Sequence, residues 1–335
     1  MPKDPISRRE FLGKGALALG AVAATDVPGF GNIVGHQHGT PHVYFSDEIS
    51  VDALQSLYSK INHDLRGKIA IKLHSGEPHG PNLLPIELIK GLQSRIPNSA
   101  IIECNVLYPS PRQNTETHRE TLKTNGFDFC PVDIMDTDGD TMLPVPGMSE
   151  FLQNAENTSL YTPGKHLTEV AVGKNLLNYN SLLVYTHFKG HTMGGFGGSL
   201  KNIAIGCASG KVGKLQIHEE GWPCGPLFLE RMVEAGKAIT ARFGPRIAYI
   251  NVLKNISVDC DCDAHGAKPT CKDIGIMAST DILAIDQASI DMIYALPTGQ
   301  RRDIVERIES RDGLRQLEYM KTLNMGSRQY KLVHI

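Results

Sequence analysis

From His42 onward the apolar residues of this chain follow two alternating spacings. Short runs such as "HVYFS", "GKIAIKLH", "SAIIECNV" and "FDFCPVDIMD" have the length and composition of strands. Between them, "SVDALQSLYSKI", "NLLPIELIKGLQSRI" and "NTETHRETLKTNGF" repeat apolar residues every three or four positions, as one face of a helix does. A Ser cap opens the first of these helices and an Asn-Gly pair closes the third. Strands that alternate with helices favour a parallel or mostly parallel sheet with helices on its faces, and gather the ligand-facing loops at one set of strand ends.

The pattern resumes after a stretch rich in Asp, Gly, Pro and Asn. "SLLVYTHF", "RIAYINVLKNISVDC" and "DIGIMAS" read as strands, and "GPLFLERMVEAGKAITARFG" as an amphipathic helix ended by Gly244. "TDILAIDQASIDMIYAL" is a helix capped by Thr280 or Asp281, and the tail supplies one or two helices and a last short strand, "QYKLVHI". The predicted fold class is α/β, with mostly parallel or mixed sheets flanked by helices. Two lobes, 42–140 and 166–335, are expected on either side of a connection, 141–165, with the site in the crevice between them. No internal repeat is present.

Before His42 the sequence has a different character. "SRREFLGKGALALGAVAAT" sets Arg8 and Arg9 ahead of a short Gly- and Ala-rich apolar segment, with an A-x-A cleavage site ending at Ala23. This looks like a twin-arginine export signal over residues 1–24, followed by a mobile lead-in over 25–41. The expected partner is the twin-arginine export machinery, and the expected destination is the periplasm. His36, His38 and His42 cluster in or beside the lead-in, where loop histidines are more often incidental than metal-binding.

Composition narrows the function classes. The chain has 335 residues, 41% hydrophobic and 21% charged, with a formal net charge of −2. No basic stripe with interleaved aromatics points to nucleic acid, and no apolar run of about eighteen residues points to a stable membrane span. Seven cysteines are an odd number, so at least one stays free, binds something or pairs between chains. Cys104, Cys130 and Cys207 lie on apolar segments where cysteine commonly serves as a small core residue.

Four places carry candidate chemistry. The first is "HFKGHTMGGFGGSLKN", in which Gly194, Gly195, Gly197 and Gly198 follow a strand. Backbone N–H groups there suggest a concavity for a small anionic ligand. Lys201 and Asn202 follow, but the spacing is neither G-x-x-x-x-G-K-[ST] nor G-x-G-x-x-G. Lys201 in such a pocket can serve as a covalent anchor or base, or simply neutralise a nearby carboxylate; His191 and His218 flank it. The second is "VDCDCDAHGAKPTCKD", where Cys260, Cys262, His265 and Cys271 could close a tetrahedral site for zinc, iron or nickel. A disulfide from Cys271 to either neighbour is the structural alternative. The third, "KLHSGEPHGP", places Lys72, His74, Glu77 and His79 at a strand end. The fourth, "YPSPRQ", offers Arg112 as a clamp for a carboxylate or phosphate. Asp286 and Asp291 share a helix but not a face, which argues against paired acid/base work.

The ordered strings "AIKLHSGEPHGPNLLP", "HFKGHTMGGFGGSLKNIAIGCASGK", "SVDCDC" and "DIGIMASTDILAIDQASID" resemble the prokaryotic domain-of-unknown-function family 362, over roughly His42 to Leu296. Many members carry a ferredoxin-like insert and are labelled iron–sulfur proteins. Between His218 and Ile247 this chain has only Cys224, so the insert is missing and a four-iron cluster is not expected. More distantly, the glycine loop is similar to that of the nickel-pincer lactate racemase family. Carried over by position, that resemblance implies Lys201 as cofactor tether, His218 as nickel ligand and His191 as acid/base. The family's other catalytic histidine has no counterpart in "YPSPRQ" and no imidazole follows until His118. Since a racemase needs acid and base on opposite faces of a carbon, this departure speaks against racemisation while leaving cofactor binding in place.

Three functions are therefore expected in order. The first is an exported cofactor- or metal-binding protein with a redox connection. The second is a metal- or nickel-pincer-dependent enzyme, racemase-like or oxidoreductase-like, acting on a small carboxylate. In that reading His191 is the acid/base, Lys201 and His218 anchor the cofactor, and Arg112 and Lys72 clamp the substrate, with His74 a further catalytic candidate beside His191, Lys201 and Arg112. The third is a periplasmic anion-binding protein.

Overall fold

A computed structural model describes residues 39–147 and 166–335. The twin-arginine segment, its cleavage site at Ala23, His36 and His38 lie outside the described residues, as does most of the 141–165 connection.

Strands β1 (His42–Ser46), β2 (Ile69–Lys72), β3 (Ser99–Glu103) and β4 (Val132–Ile134) alternate with helices α1 (Val51–Ile61), α2 (Ile86–Gln93) and α3 (Thr115–Thr124). The Ser50 hydroxyl accepts the Ala53 N–H at 3.1 Å, capping α1, and α3 ends at Asn125, with Gly126 at φ +85° in the turn that follows. Strands β5 (Asp140–Pro144) and β6 (Glu169–Gly173) pair with each other, so part of the expected connection is a hairpin arm.

The second half adds β7 (Ser181–His187) and a small hairpin of β8 (Lys189–His191) and β9 (Gly195–Gly197). Then come α4 (Ser199–Cys207), α5 (Gly213–His218), α6 (Pro226–Phe243), β10 (Ile247–Leu253) and β11 (Gly275–Ser279). The chain closes with α7 (Ile282–Ala295), α8 (Thr298–Ser310), α9 (Arg315–Thr322) and β12 (Lys331–His334). Asp281, of the two cap residues considered, accepts the Ala284 N–H at 2.8 Å.

Eight strands form one sheet in the order β12-β1-β11-β10-β7-β2-β3-β4. All its pairings are parallel except the two made by β11. The stretches expected as separate lobes thus share a single sheet, joined where β2 pairs with β7. The sheet is covered on both faces. Alternate residues of β7, Leu183 and Tyr185, pack with α1, α2 and α3 in one core. Leu182 and Val184 pack with α4, α6, α7, α8 and α9 in the other. Full burial on both faces explains why β7 reads as an unbroken apolar run rather than an alternating one.

Topology also places the site. From β2 the chain builds outward through β3 and β4, then returns to lay β7 on the other side of β2 and continues to β10. Successive connections leave β2 and β7 in opposite directions, opening a crevice beyond their carboxyl ends, the position at which doubly wound α/β sheets take ligands. No helix of the described residues is long and apolar enough to cross a membrane.

Candidate functional site

A cavity of about 320 Å³ fills that crevice. The β2 end contributes Lys72 and His74, the β3 end Glu103 and Arg112, and the β7 end His187, Lys189 and His191. Helix α4 contributes Lys201 and Asn202, α5 contributes Lys214 and His218, and the loop after β10 contributes Cys260 and Cys262. Residues 186 positions apart, His74 and Cys260, meet through a side-chain hydrogen bond.

The glycines do not form the expected anion concavity. The carboxylate of Asp286, on α7, accepts the backbone N–H groups of Ser199 (2.8 Å) and Leu200 (3.0 Å) and the Asn251 amide (2.9 Å). The first turn of α4 is thus already capped by an anion of the chain itself. A side chain at Gly198 would place its Cβ 2.5 Å from that carboxylate, so this glycine serves the cap. Gly195, at φ +78°, makes the turn between β8 and β9, where only Gly fits against Gly313. Gly194 gives its N–H to His191, and Gly197 lies beside the Lys201 stem. Asn202 ties strand ends together, donating to Lys72 O (3.3 Å), Tyr185 O (3.1 Å) and the Thr186 hydroxyl (3.0 Å).

Arg112 and Lys72 reach the cavity but are not open clamps. Arg112 Nε donates to Glu77 (3.0 Å), Nη2 donates to the Tyr108 hydroxyl (2.8 Å), and Nη1 lies 3.6 Å from Glu103. Lys72 donates to Glu103 Oε2 at 2.8 Å and to Leu73 O. Burial opposes ionisation of Glu103, but Lys72, His74 and Arg112 outweigh it and hold its carboxyl far below the usual range. Lys189 is also engaged, pairing with Asp261 at 2.7 Å. What remains is Lys201, which has no ion-pair partner among the described residues, and Lys214, whose ammonium donates to Ala208 O at 2.6 Å. The cavity therefore holds more cationic than carboxylate charge, and desolvated charge left without a partner is costly.

Three imidazoles face this charge. Burial and Lys201 hold His191 well below its ordinary range, and burial with Arg112 lowers His74. Burial, Lys201 and Lys214 push His218 down to about 3. All three rings are neutral near pH 7. His191 Nδ1 accepts N–H groups from Met193 (3.2 Å) and Gly194 (2.9 Å), which puts the ring hydrogen on Nε2. His74 Nδ1 likewise accepts from Gly76 at 2.9 Å, leaving its Nε2–H for Cys260. His218 stacks on Phe228 and packs tilted against Trp222, with ring centroids 4.9 and 4.4 Å away, and its Nδ1 is buried without a partner.

The sulfur cluster differs from the expected four-ligand set. A ring nitrogen of His191 and the Sγ atoms of Cys260 and Cys262 lie within 4.8 Å of one another. His265 is exposed, and Cys271 is buried elsewhere, its thiol donating to Gln300 O at 3.0 Å. Neighbourhood in sequence did not become neighbourhood in space because Asp261 anchors only the C-x-C turn. Asp261 accepts from His187 Nδ1 (2.9 Å) and Lys189 (2.7 Å), and its carbonyl accepts the Glu77 N–H (3.0 Å). A hydrogen bond from Cys262, with Lys201, His74 and Lys189 near, holds the Cys260 thiol well below its ordinary range despite burial. The two sulfurs suit a thiophilic metal ion. His191 as hydrogen-bonded does not, because a ligating histidine donates its second N–H rather than accepting there.

His187, Lys189, Asp261, Glu103 and Trp222 were not singled out from sequence. Asp261 had one visible signal, its position inside the C-x-C pair; His187, Lys189 and Glu103 had none beyond lying at strand ends, and Trp222, between α5 and α6, had none. Cys104 and Cys207 are buried and Cys130 half-buried.

These features define a doubly wound α/β protein with a strand-end cavity carrying a thiol pair, neutral imidazoles and an unpaired amine. The chain belongs to the family described as "Domain of unknown function (DUF362)", whose model matches residues 69–291. No curated protein matches the sequence. Among solved structures, the lactate racemase apoprotein from Thermoanaerobacterium thermosaccharolyticum is similar at 13% identity and a TM-score of 0.40, over 76% of this chain and 57% of that one. A protein from Thermotoga maritima is similar at 12% identity and a TM-score of 0.39, over 79% and 60%. This chain thus spans less than two thirds of either.

Proposed function

We propose that the chain is an exported cofactor- or metal-binding protein whose cavity takes a thiophilic metal ion at Cys260 and Cys262 beside a small anionic molecule at Lys201. The observation that carries this reading is the meeting of two thiols and an unpaired ammonium in one sheltered cavity. Thiolates select soft or borderline ions, so zinc, nickel and iron are the metals to test. Lys201 supplies the charge that an anionic guest would neutralise, and the neutral Nε2–H of His191 supplies a hydrogen-bond donor to it. The export part of the proposal rests on the Arg8-Arg9 signal in the sequence.

The test is elemental analysis and intact mass of protein purified from a host with working twin-arginine export. One equivalent of metal, lost in Cys260→Ser and Cys262→Ser but kept in Cys271→Ser, is the expected result. Metal content unchanged in both thiol variants, or absent from protein reconstituted with each of the three ions, would refute the metal assignment.

A second reading is favoured by the unpartnered Nδ1 of His218 and the free amine of Lys201. In it, a nickel-pincer-type group is tethered through Lys201 and its metal is held by His218. The group would supply the reaction centre, while His191 holds a proton at Nε2 facing the cavity. Intact mass decides it: an adduct on Lys201 that disappears in Lys201→Arg supports this reading, and an unmodified Lys201 in the exported protein overturns it.

A further inference from the structure

The cavity-facing thiols have a second capacity that does not depend on metal. We infer that Cys260 and Cys262 are a redox-active pair that closes to a disulfide by exchange with small disulfides entering the cavity. The inference rests on reading these two residues as the working pair of the site, and it stands with or without a bound ion.

Geometry restricts the pairing to these two. Their sulfurs lie within 4.8 Å of each other and share a hydrogen bond, while Cys271 sits apart with its thiol committed to Gln300 O. The turn that carries them is held at both edges. Asp263 N–H donates to Cys260 O at 2.8 Å, and the Asp261 side chain is fixed by His187 and Lys189. With the central residue pinned, both thiols are presented to the same space, where closure needs side-chain rotation more than backbone movement.

The surroundings also define the oxidant. Cys260 is only 5% exposed, so a disulfide on the surface of another protein cannot reach it. A small molecule that fits a space of about 320 Å³ can. Lys201 and Lys189 line the same cavity as the two thiols, so the departing RS⁻ leaves beside cationic side chains. In the exchange, Cys260 Sγ attacks one sulfur of R–S–S–R; that S–S bond breaks and one RS⁻ departs. Cys262 then loses its proton and attacks Cys260 Sγ, forming the protein disulfide and releasing the second RS⁻. Two protein thiols are oxidised, one reagent disulfide is reduced to two thiols, and the two protons released by the cysteines end on the two RSH products.

The test uses the full protein stripped of metal with a chelator, and hydroxyethyl disulfide as the probe. In a Cys224→Ser background, which removes the exposed thiol, the number of labelled thiols after acid quench, unfolding and alkylation should fall by two from six, with no added mass. Peptide mapping should place the bond between Cys260 and Cys262, and excess 2-mercaptoethanol should reverse it. Cys262→Ser should stop at a mixed disulfide on Cys260, and Cys260→Ser should carry none; Cys271→Ser should behave as the parent. Circular dichroism identifies any variant that fails to fold, and the mapping of the parent decides the question by itself. Six labelled thiols at every reagent ratio, or a bond mapped elsewhere, overturns the inference. A disulfide formed in a protein that never takes up metal sinks the metal assignment and leaves this one standing. Metal uptake without disulfide in the stripped protein does the reverse.

Discussion

Asp261→Asn tests the clamp on which the sulfur turn depends. The carboxylate faces two buried partners, the Lys189 ammonium at 2.7 Å and His187 Nδ1 at 2.9 Å, and the second ring nitrogen of His187 faces Lys254 O at 2.8 Å. Both side chains of the Lys189–Asp261 pair are at most 5% exposed. At that separation and an effective dielectric near 20, the raw attraction is about 6 kcal/mol, most of it offset by desolvation of the two charges. Removing one partner forfeits the attraction without returning the cost of burying the other. An asparagine keeps one acceptor oxygen but turns an amide donor towards the other partner. The expected loss is about 3–5 kcal/mol of folding stability, a large share of the ~5–15 kcal/mol of a typical domain.

The assay is urea unfolding followed by circular dichroism, with the m-value checked for constancy. The double variant Lys189→Met/Asp261→Asn should be more stable than Asp261→Asn alone, since the orphaned ammonium is gone. A pH series adds a signed check. Burial opposes ionisation of Asp261, but His187 and Lys189 hold its carboxyl below the usual value of 3.8. Its contribution is present above that value and lost as pH falls through the folded pKa. The acid limb should therefore be shallower in the variant. Asp261→Asn within about 1 kcal/mol of the parent at an unchanged m-value, or strictly additive single-variant costs, would show that no such clamp exists.

Two further outcomes follow from the same geometry. Trp222 is the sole tryptophan and lies against His218 at the cavity, so its fluorescence should change on titration with lactate, oxalate or phosphate. Lys201→Ala should weaken whichever probe binds by about 10- to 100-fold, the value of one charged hydrogen bond; equal affinity in the two proteins would remove Lys201 from the anion site. Asp286 is pushed up from 3.8 to about 6 by burial, although Ser199, Leu200 and Asn251 hydrogen bonds pull the other way. The folded state holds that proton more tightly, so the residue's contribution is full below about pH 4 and falls by about 3 kcal/mol as pH rises through 6. The stability difference between Asp286→Asn and the parent should change across that window, and a difference constant in pH would refute the assignment.

The elements were legible because periodicity survives in a single sequence: β7 reads as a buried strand from its unbroken apolar run, and α1 from its spacing and Ser cap. The nearness of His191 and Lys201 was legible for the same local reason, since one hairpin and one helix fix them, whereas the anion cradle expected of the glycines was not formed. Partnership across the sheet was not. Nothing local to Arg112 reveals that Glu77, thirty-five positions earlier, already accepts from its Nε, or that Glu103 takes Lys72. Nothing local to Gly198 reveals that Asp286 arrives from α7 to occupy the amides behind it. His265 and Cys271 read as part of one metal set because they are near Cys260 in sequence, yet the Asp261 anchor fixes only three residues and the chain leaves the cavity beyond them. The chemistry a cavity offers is what remains once its internal pairs are subtracted. Here the subtraction removes Lys72, Arg112 and Lys189 and leaves Lys201 and Lys214 beside two thiols, the set on which the proposal of an anionic or thiophilic guest rests.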